Sequence, residues 1–361
     1  MTSSGVAEGT PDTVPRGIDD LTPEWLTEVL RADPGLDAPA VESVRAERIA
    51  QESGFSSLLY RLHLTGRGVP ASVIAKLPAD SAARGAMELL GGYRRELAFY
   101  RDVAGHAPVG TAHVYTARQA DDSSDFVLLL EDLRDWDNAD HLAGLSIEQA
   151  DLVIANLAAL QAWSIEPANG TVLEQFPSVS THAVRELLIP AFGPGWQVYR
   201  DKSGATVPRP VARFAQRFDE LAPQALAALT EHSVLLHGDI RADNMFFDGA
   251  RLKVVDFQFA SVGCGAADIA YLVSQGLPTV VRRGHDESLV RGYLDRLNLD
   301  SYAFDAAWRH YRFAAAYLMV LPVVTLVGWQ DLPERSRSLC LELIARAIAT
   351  IDDIDALEVF E

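Results

Sequence analysis

Cysteine is nearly absent from this chain. Only Cys264 and Cys340 occur in 361 residues, which excludes a disulfide framework and makes a reducing cytoplasm the expected compartment. Lysine is almost as rare, since of 31 basic side chains only Lys76, Lys202 and Lys253 are lysines. Positive charge is short overall: 50 Asp and Glu give a formal net charge of -19. No basic patch relieves that excess, which argues against nucleic acid or an anionic membrane surface as a partner. Long apolar runs are missing but for one, Phe313 to Trp329, which carries no formal charge and approaches the length of a membrane span. Pro322 and Gly328 interrupt it and polar residues flank it, so it reads as a buried helix and no membrane span is expected. The first twenty residues lack the basic-then-apolar order of an export signal and read as a flexible tail.

What is present is an ordinary globular composition, 48% hydrophobic and 22% charged, over a length that suits two domains or one bilobal unit. Thr22 before Pro23 and Glu24 starts a helix. Val41 to Ile49, Leu58 to Leu64 and Ser72 to Leu77 then read as a three-stranded meander, the last strand holding one lysine. Ser81 to Ala104 turns helical with a break at Gly91-Gly92, and Ala112 to Arg118 with Phe126 to Leu130 return to strand. Residues 21–130 therefore form a small antiparallel sheet domain with one inserted helix region. Residues 131–361 are mainly helical, with helices expected over Ile147 to Trp163, Val211 to Glu231, Asp286 to Leu297, Phe304 to Val327 and Pro333 to Leu357. The fold class is α+β.

The exception to the helical pattern is Val234 to Asp256. An apolar run ends in His237-Gly238-Asp239, a polar loop ends in Asn244, and Met245 to Phe247 opens a hairpin whose second strand delivers Asp256. Asp239, Asn244 and Asp256 thus emerge at the ends of neighbouring short strands. Phosphoryl transfer needs such a set: a base to orient and deprotonate a hydroxyl, and hard oxygen ligands to hold magnesium against nucleotide phosphates. Asp239 fits the base, Asn244 and Asp256 the metal. An Asx-rich turn is the structural alternative for any one of them.

His-Gly-Asp-x-x-x-x-Asn followed by Asp256-Phe is similar to the signature of aminoglycoside phosphotransferases, choline kinases and ecdysteroid-kinase-like proteins, relatives of the protein kinases. The continuation through Gly263-Cys-Gly-Ala-Ala-Asp268-Ile-Ala-Tyr-Leu272 looks most like the ecdysteroid-kinase-like branch. Gln258 departs from the protein-kinase Asp-Phe-Gly, so an Asp-Phe flip is not expected, and no Ala-Pro-Glu-type activation segment follows Asp256. The resemblance implies a bilobal protein-kinase-like fold, ATP and magnesium as cofactors, and transfer of the γ-phosphoryl group to a small-molecule hydroxyl. It implies that Lys76, on the third strand, grips the phosphates and that Glu96, rather than Glu88, pairs with it. The loop Glu52 to Ser57, with Ser53, Gly54, Ser56 and Ser57, would cover the phosphates. Main-chain groups around Glu131 to Leu133 would bond adenine. Arg241 would stabilise the transferred phosphate, and Asp268 would brace the catalytic loop.

The acceptor is less constrained. The branch resemblance and the aromatic series Trp308, Tyr311, Phe313 and Tyr317 favour a neutral, partly apolar alcohol or sterol-like compound. The acidic cluster Glu131, Asp132, Asp135, Asp137 and Asp140 favours a cationic aminoglycoside- or choline-type acceptor. A core helix and a solvated acidic face would explain both features without any ligand. A nucleotide-binding regulator without catalysis is the remaining alternative. Oligomeric state cannot be read from the sequence.

Overall fold

The computed structural model describes residues 14–49, 57–79, 82–121 and 123–361. The chain divides into two compact units, residues 1–104 with 112–135, and residues 105–111 with 136–361.

In the first unit, helix α1 (Pro23–Arg31) begins where Thr22 Oγ1 accepts the Trp25 N–H. Strands β1 (Ala40–Ile49), β2 (Ser57–Arg67) and β3 (Ser72–Pro78) follow, then helices α2 (Ala82–Leu89) and α3 (Gly92–Asp102), then β4 (Val114–Gln119) and β5 (Phe126–Glu131). The strands form one antiparallel sheet in the order β1-β2-β3-β5-β4, the expected five-stranded sheet with its helical insertion. Strand β3 lies between two partners and is buried along its whole length. Its period-2 alternation sends Val73, Ala75 and Leu77 into a core shared with Trp25, Leu26, Val29 and Leu30 of α1. Ile74 and Lys76 therefore face the other side of the sheet.

The second unit is mainly helical. A two-residue strand β6 (Asp137–Asn138) precedes α4 (Ile147–Ser164), which starts at a capping box between Ser146 and Gln149. Helices α5 (Ile189–Ser203), α6 (Arg209–Gln216) and α7 (Phe218–Ala228) lead to strand β7 (Ser233–Leu236). Then come the hairpin β8 (Met245–Asp248) and β9 (Arg251–Val254), strand β10 (Ser261–Cys264) and helix α8 (Ala266–Gly276). Helices α9 (Thr279–Arg282), α10 (Asp286–Leu297), α11 (Phe304–Tyr317), α12 (Val320–Thr325) and α13 (Glu334–Asp353) complete the chain. Strand β7 pairs with β10, and β6 with β8. Helix α8 is buried at every residue and packs against α4, α10, α11 and α13.

Three differences from the sequence reading have local causes. The helix expected over Val211 to Glu231 is two helices that meet at Arg217. The apolar stretch Phe304–Gly328 is long and apolar enough to cross a membrane, but it breaks into α11, α12 and a 3-10 turn over Leu326–Gly328. Phe313, Ala314, Met319, Val320, Val323 and Leu326 are all fully buried within the unit. Helix α5 had no periodic signature because Pro190, Gly193, Pro194 and Gly195 occupy its first half.

Candidate active site

Two groups of side chains, one in each unit, match the sequence candidates. In the first unit Lys76 sits on β3 opposite Leu59 and Leu128. Its ammonium is 2.7 Å from Glu96 Oε1, and the residues are only 6% and 2% exposed. Glu96 reaches this point because α3 starts after Gly91, held at φ +71°, and packs on the sheet through Tyr93 and Phe126, whose ring centroids are 4.6 Å apart. An ion pair this deep persists only with good geometry, since each charge has lost its hydration.

Ser57 opens β2 opposite Pro78, with its hydroxyl buried beside Tyr93. The remaining loop candidates, Ser53, Gly54 and Ser56, lie outside the described residues. At the end of β5 the Glu131 N–H donates to His113 O at 2.8 Å and the Glu131 carboxylate accepts the His113 N–H at 2.9 Å. Leu133 is buried. Between them Asp132 accepts from Arg61 Nε at 2.8 Å, Ser72 Oγ at 2.6 Å and the Arg134 N–H at 3.1 Å. Burial works to raise the Asp132 pKa, but the Arg61 and Ser72 hydrogen bonds outweigh it and hold the carboxyl below its ordinary value. The acidic cluster read from the sequence is thus partly neutralised: Asp132 is paired with Arg61 and Arg134, and Asp140 with Arg335. The aromatic series is likewise mostly core, except for Trp308, which is only half-buried and lines a cavity with Arg282, Asp286 and Arg291. Tyr311 and Phe313 are fully buried, Tyr311 donates to Asp286, and Tyr317 stacks on Phe218.

In the second unit the polar loop 237–244 leaves β7 under tight restraint. Gly238 has φ +79°, and a Cβ there would lie 2.2 Å from Phe259 O, so only glycine fits. Asp268, in the first turn of α8 and 2% exposed, accepts the N–H groups of His237 at 2.8 Å and Gly238 at 3.0 Å. Burial pushes its carboxyl pKa up. His237 Nδ1 accepts the Asp239 N–H at 3.1 Å, so Nε2 carries the ring proton and donates it to Val255 O, also at 3.1 Å. That imidazole is committed to the loop, not to proton transfer.

The Asp239 carboxylate lies 3.0 Å from Arg241 Nε. Asp239 is the main reason the Arg241 pKa is raised, against the opposing effect of burial. Asn244 donates Nδ2 to Asp239 O at 2.9 Å, which turns its Oδ1 into the end available to a cation. The Val255 N–H donates to Asn244 O at 3.0 Å, next to the Met245–Val254 pair. Asn244 and Asp256 therefore both lie at the open end of one hairpin, Asp256 one residue beyond the partner of Asn244. Asp256 takes φ +69°, a left-handed conformation that costs an aspartate about 1–2 kcal/mol. Gln258 Nε2 donates to Asp256 Oδ2 at 3.3 Å, so the residue that departs from Asp-Phe-Gly pins the carboxylate it follows.

The donor chemistry fits magnesium. An amide oxygen and a carboxylate are hard ligands, and a cation held by only two protein groups completes its shell with phosphate oxygens and water. Among the described residues no group of three or more His, Cys, Asp or Glu side chains forms a self-contained metal site.

Several contributors are not identifiable as site residues from the sequence, although Tyr271 lies within the family-like run 263–272. Tyr271, one turn beyond Asp268, is 4% exposed; burial and the Asp239 charge push its hydroxyl well above the ordinary pKa. Cys340 on α13 is near enough to Arg241 to feel its charge, though burial dominates and raises the thiol to about 11. His141 Nδ1 accepts the Ala242 N–H at 3.1 Å. Its pKa is pushed down to about 3, by burial first and then by Arg241 and Arg346. Only the folded chain brings these side chains to the loop.

No curated protein matches the chain. Solved structures resemble it in fold across nearly its full length. Choline kinase from Cryptosporidium parvum Iowa II has a TM-score of 0.54 at 10% identity, covering 86% of this chain and 90% of that one. A choline/ethanolamine kinase family protein from Mesorhizobium loti has a TM-score of 0.51 at 14% identity, covering 93% and 98%. Wild-type aminoglycoside 2′-phosphotransferase-IIIa, solved with GDP, has a TM-score of 0.53 at 16% identity, covering 91% and 98%. The α+β fold is that of the protein-kinase-like phosphotransferases. The ecdysteroid kinase-like family model matches residues 51–301, and the chain belongs to that family.

Proposed function

We propose that this chain is an ATP-dependent small-molecule kinase that moves the γ-phosphoryl group to a hydroxyl of a metabolite. The strongest support is the loop 237–244, in which Asp239 is buried beside Arg241 while Asn244 and Asp256 share one hairpin end. In this reading Asp239 accepts the proton of the acceptor hydroxyl as its oxygen bonds to the γ-phosphorus and the bridging bond to the β-phosphate breaks, releasing ADP. Arg241 orients Asp239 and offers positive charge to the phosphoryl oxygens. Lys76, fixed by Glu96, engages the nucleotide phosphates. Asn244 and Asp256 hold magnesium, which when bound neutralises charge on the phosphates.

The acceptor we propose is a neutral hydroxyl compound. The family supports it, and so does the pairing of Asp132 and Asp140 with arginines, which weakens the case for an anionic surface awaiting a cation. The aromatic series on α11 adds little, since Tyr311, Phe313 and Tyr317 are core and only Trp308 is partly exposed. The test is a turnover screen of magnesium-ATP against apolar alcohols, choline-type amines and aminoglycosides, run on the wild type and Asp239→Asn. The expected result is turnover with a neutral alcohol that falls about 10²–10⁴-fold in the variant, while ATP still raises the melting temperature of both forms. Activity confined to aminoglycosides would rule out the acceptor class. Stabilisation by ATP with no turnover in either form would identify a regulator instead.

A further inference from the structure

Asp268 holds the beginning of the catalytic loop, and a different segment, residues 138–141, holds its end. Asn138 Nδ2 donates to both Asp243 O and Met245 O, each at 3.0 Å, and the Ala139 N–H donates to Met245 O at 3.0 Å. The His141 N–H donates to Asp243 Oδ1 at 2.9 Å, and His141 Nδ1 accepts the Ala242 N–H at 3.1 Å. The strap is itself anchored. Arg346, 3% exposed on α13, donates to His141 O at 3.1 Å, Leu142 O at 2.6 Å and Gln275 O at 3.1 Å.

Ala242 lies between Arg241 and Asn244, so its peptide sets where both side chains depart from the backbone. Because Nδ1 accepts a hydrogen bond, it bears no proton, and the neutral ring must carry its hydrogen on Nε2. That Nε2 is buried with no hydrogen-bond partner among the described residues. An orphaned donor of this kind is destabilising, and a phenyl or leucyl side chain would fill the space without it. The ring's useful contact is therefore the one at Nδ1.

We propose that His141 is a positioning residue for phosphoryl transfer: by holding the Ala242 N–H it fixes the guanidinium of Arg241 against Asp239 and the carboxamide of Asn244 toward the metal. This rests on the kinase reading above. The segment carries no catalytic motif, and its contribution is confined to the geometry of residues 241–244.

The experiment uses hydrolysis of magnesium-ATP, with water as acceptor, so that the physiological acceptor need not be known. His141→Phe keeps the bulk and removes the acceptor. His141→Gln keeps polarity but places its amide at the Nε2 position, and it serves if the Phe variant fails to fold. His141→Asn places Oδ1 where Nδ1 stood. Phe and Gln are expected to lower kcat about 10- to 100-fold with KM for magnesium-ATP changed less than about twofold, because a misplacement of about 1 Å costs rate rather than nucleotide binding. Asn is expected to stay within about threefold of the wild type. Hydrogen exchange over residues 237–247, a readout independent of turnover, should show the Ala242 amide deprotected in Phe and Gln and protected in Asn. Unchanged kcat in Phe or Gln with the Ala242 amide deprotected would overturn the positioning role alone, as would equal impairment of all three variants. A wild type with no turnover here and none against the acceptor panel above would overturn the kinase reading and this proposal with it.

Discussion

Lys76 and Glu96 form an ion pair in which the structural and the functional contribution can be separated. With both side chains buried and 2.7 Å apart, Lys76→Met leaves the Glu96 carboxylate without its ammonium partner in a poorly solvated site. The expected loss of stability is about 3–5 kcal/mol. Replacing both residues by methionine removes both charges, and most of that stability should return, because an apolar pair of similar volume pays no desolvation. Nucleotide engagement should not return. The measurement is a double-mutant cycle in chemical denaturation, run beside the ATP-dependent shift in melting temperature. A double variant that still gains stability from ATP like the wild type would show that Lys76 serves the fold alone. Lys76 stands out in the sequence because the family resemblance implies a lysine on the third strand, and this one, among only three in an arginine-rich chain, stands there in an apolar run. Asp239, Asn244 and Asp256 were legible from their spacing. His141 and Cys340 were not, because they reach the loop only through the packing of the strap and α13. Tyr271, though inside the family-like run 263–272, shows no role there because its approach to Asp239 depends on the packing of α8.

At the scale of elements, the sheet of the first unit could be read because Leu58 to Leu64 alternates, Ser72 to Leu77 and Phe126 to Leu130 are short apolar runs, and turn residues bound them. Helix α1 could be read from its cap. Helix α5 could not, since Pro190, Gly193, Pro194 and Gly195 punctuate its first half and local propensity there opposes a helix. Tertiary packing explains one of those residues. A Cβ on Gly195 would lie 2.1 Å from Val323 O and 2.8 Å from Val323 C on α12, whereas Gly193 has open space around it. Gly195 therefore lets two helix backbones approach. Gly195→Ala should destabilise the protein by about 1–3 kcal/mol, since the obstacle is backbone and cannot rotate away. At Gly193 the higher helix propensity of alanine and the clash it brings before Pro194 oppose each other, so Gly193→Ala should stay within about 1 kcal/mol of the wild type. Thermal unfolding of the two variants distinguishes the positions. Equal effects would show that the close approach to α12 is not what requires glycine.

For the molecule as a whole, pH tests how a buried neutral imidazole bears on stability. His141 titrates near 3 in the folded chain, against an ordinary value of about 6.5 when unfolded. The unfolded chain therefore binds the proton first, and the stability linked to His141 is complete above pH 6.5 and is lost as pH falls from there toward 3. Between pH 7 and pH 5 the native ring stays neutral, so the size of the effect is set by the unfolded state alone and comes to about 2 kcal/mol. His310, also buried and lowered by that burial, acts in the same direction. Carboxylates held below their ordinary values, Asp132 and Asp140 among them, stay ionised across this window and add little. The net charge of -19 shrinks on acidification and relieves self-repulsion, which opposes the histidine effect and would obscure it in the wild type alone. Comparison with His141→Asn removes that ambiguity, because the two proteins share every other titrating group. The wild type should lose about 2 kcal/mol more than the variant between pH 7 and pH 5, read from urea denaturation at each pH. Parallel profiles would mean that His141 is already protonated in the folded chain at pH 5, which its acceptance of the Ala242 N–H at Nδ1 forbids.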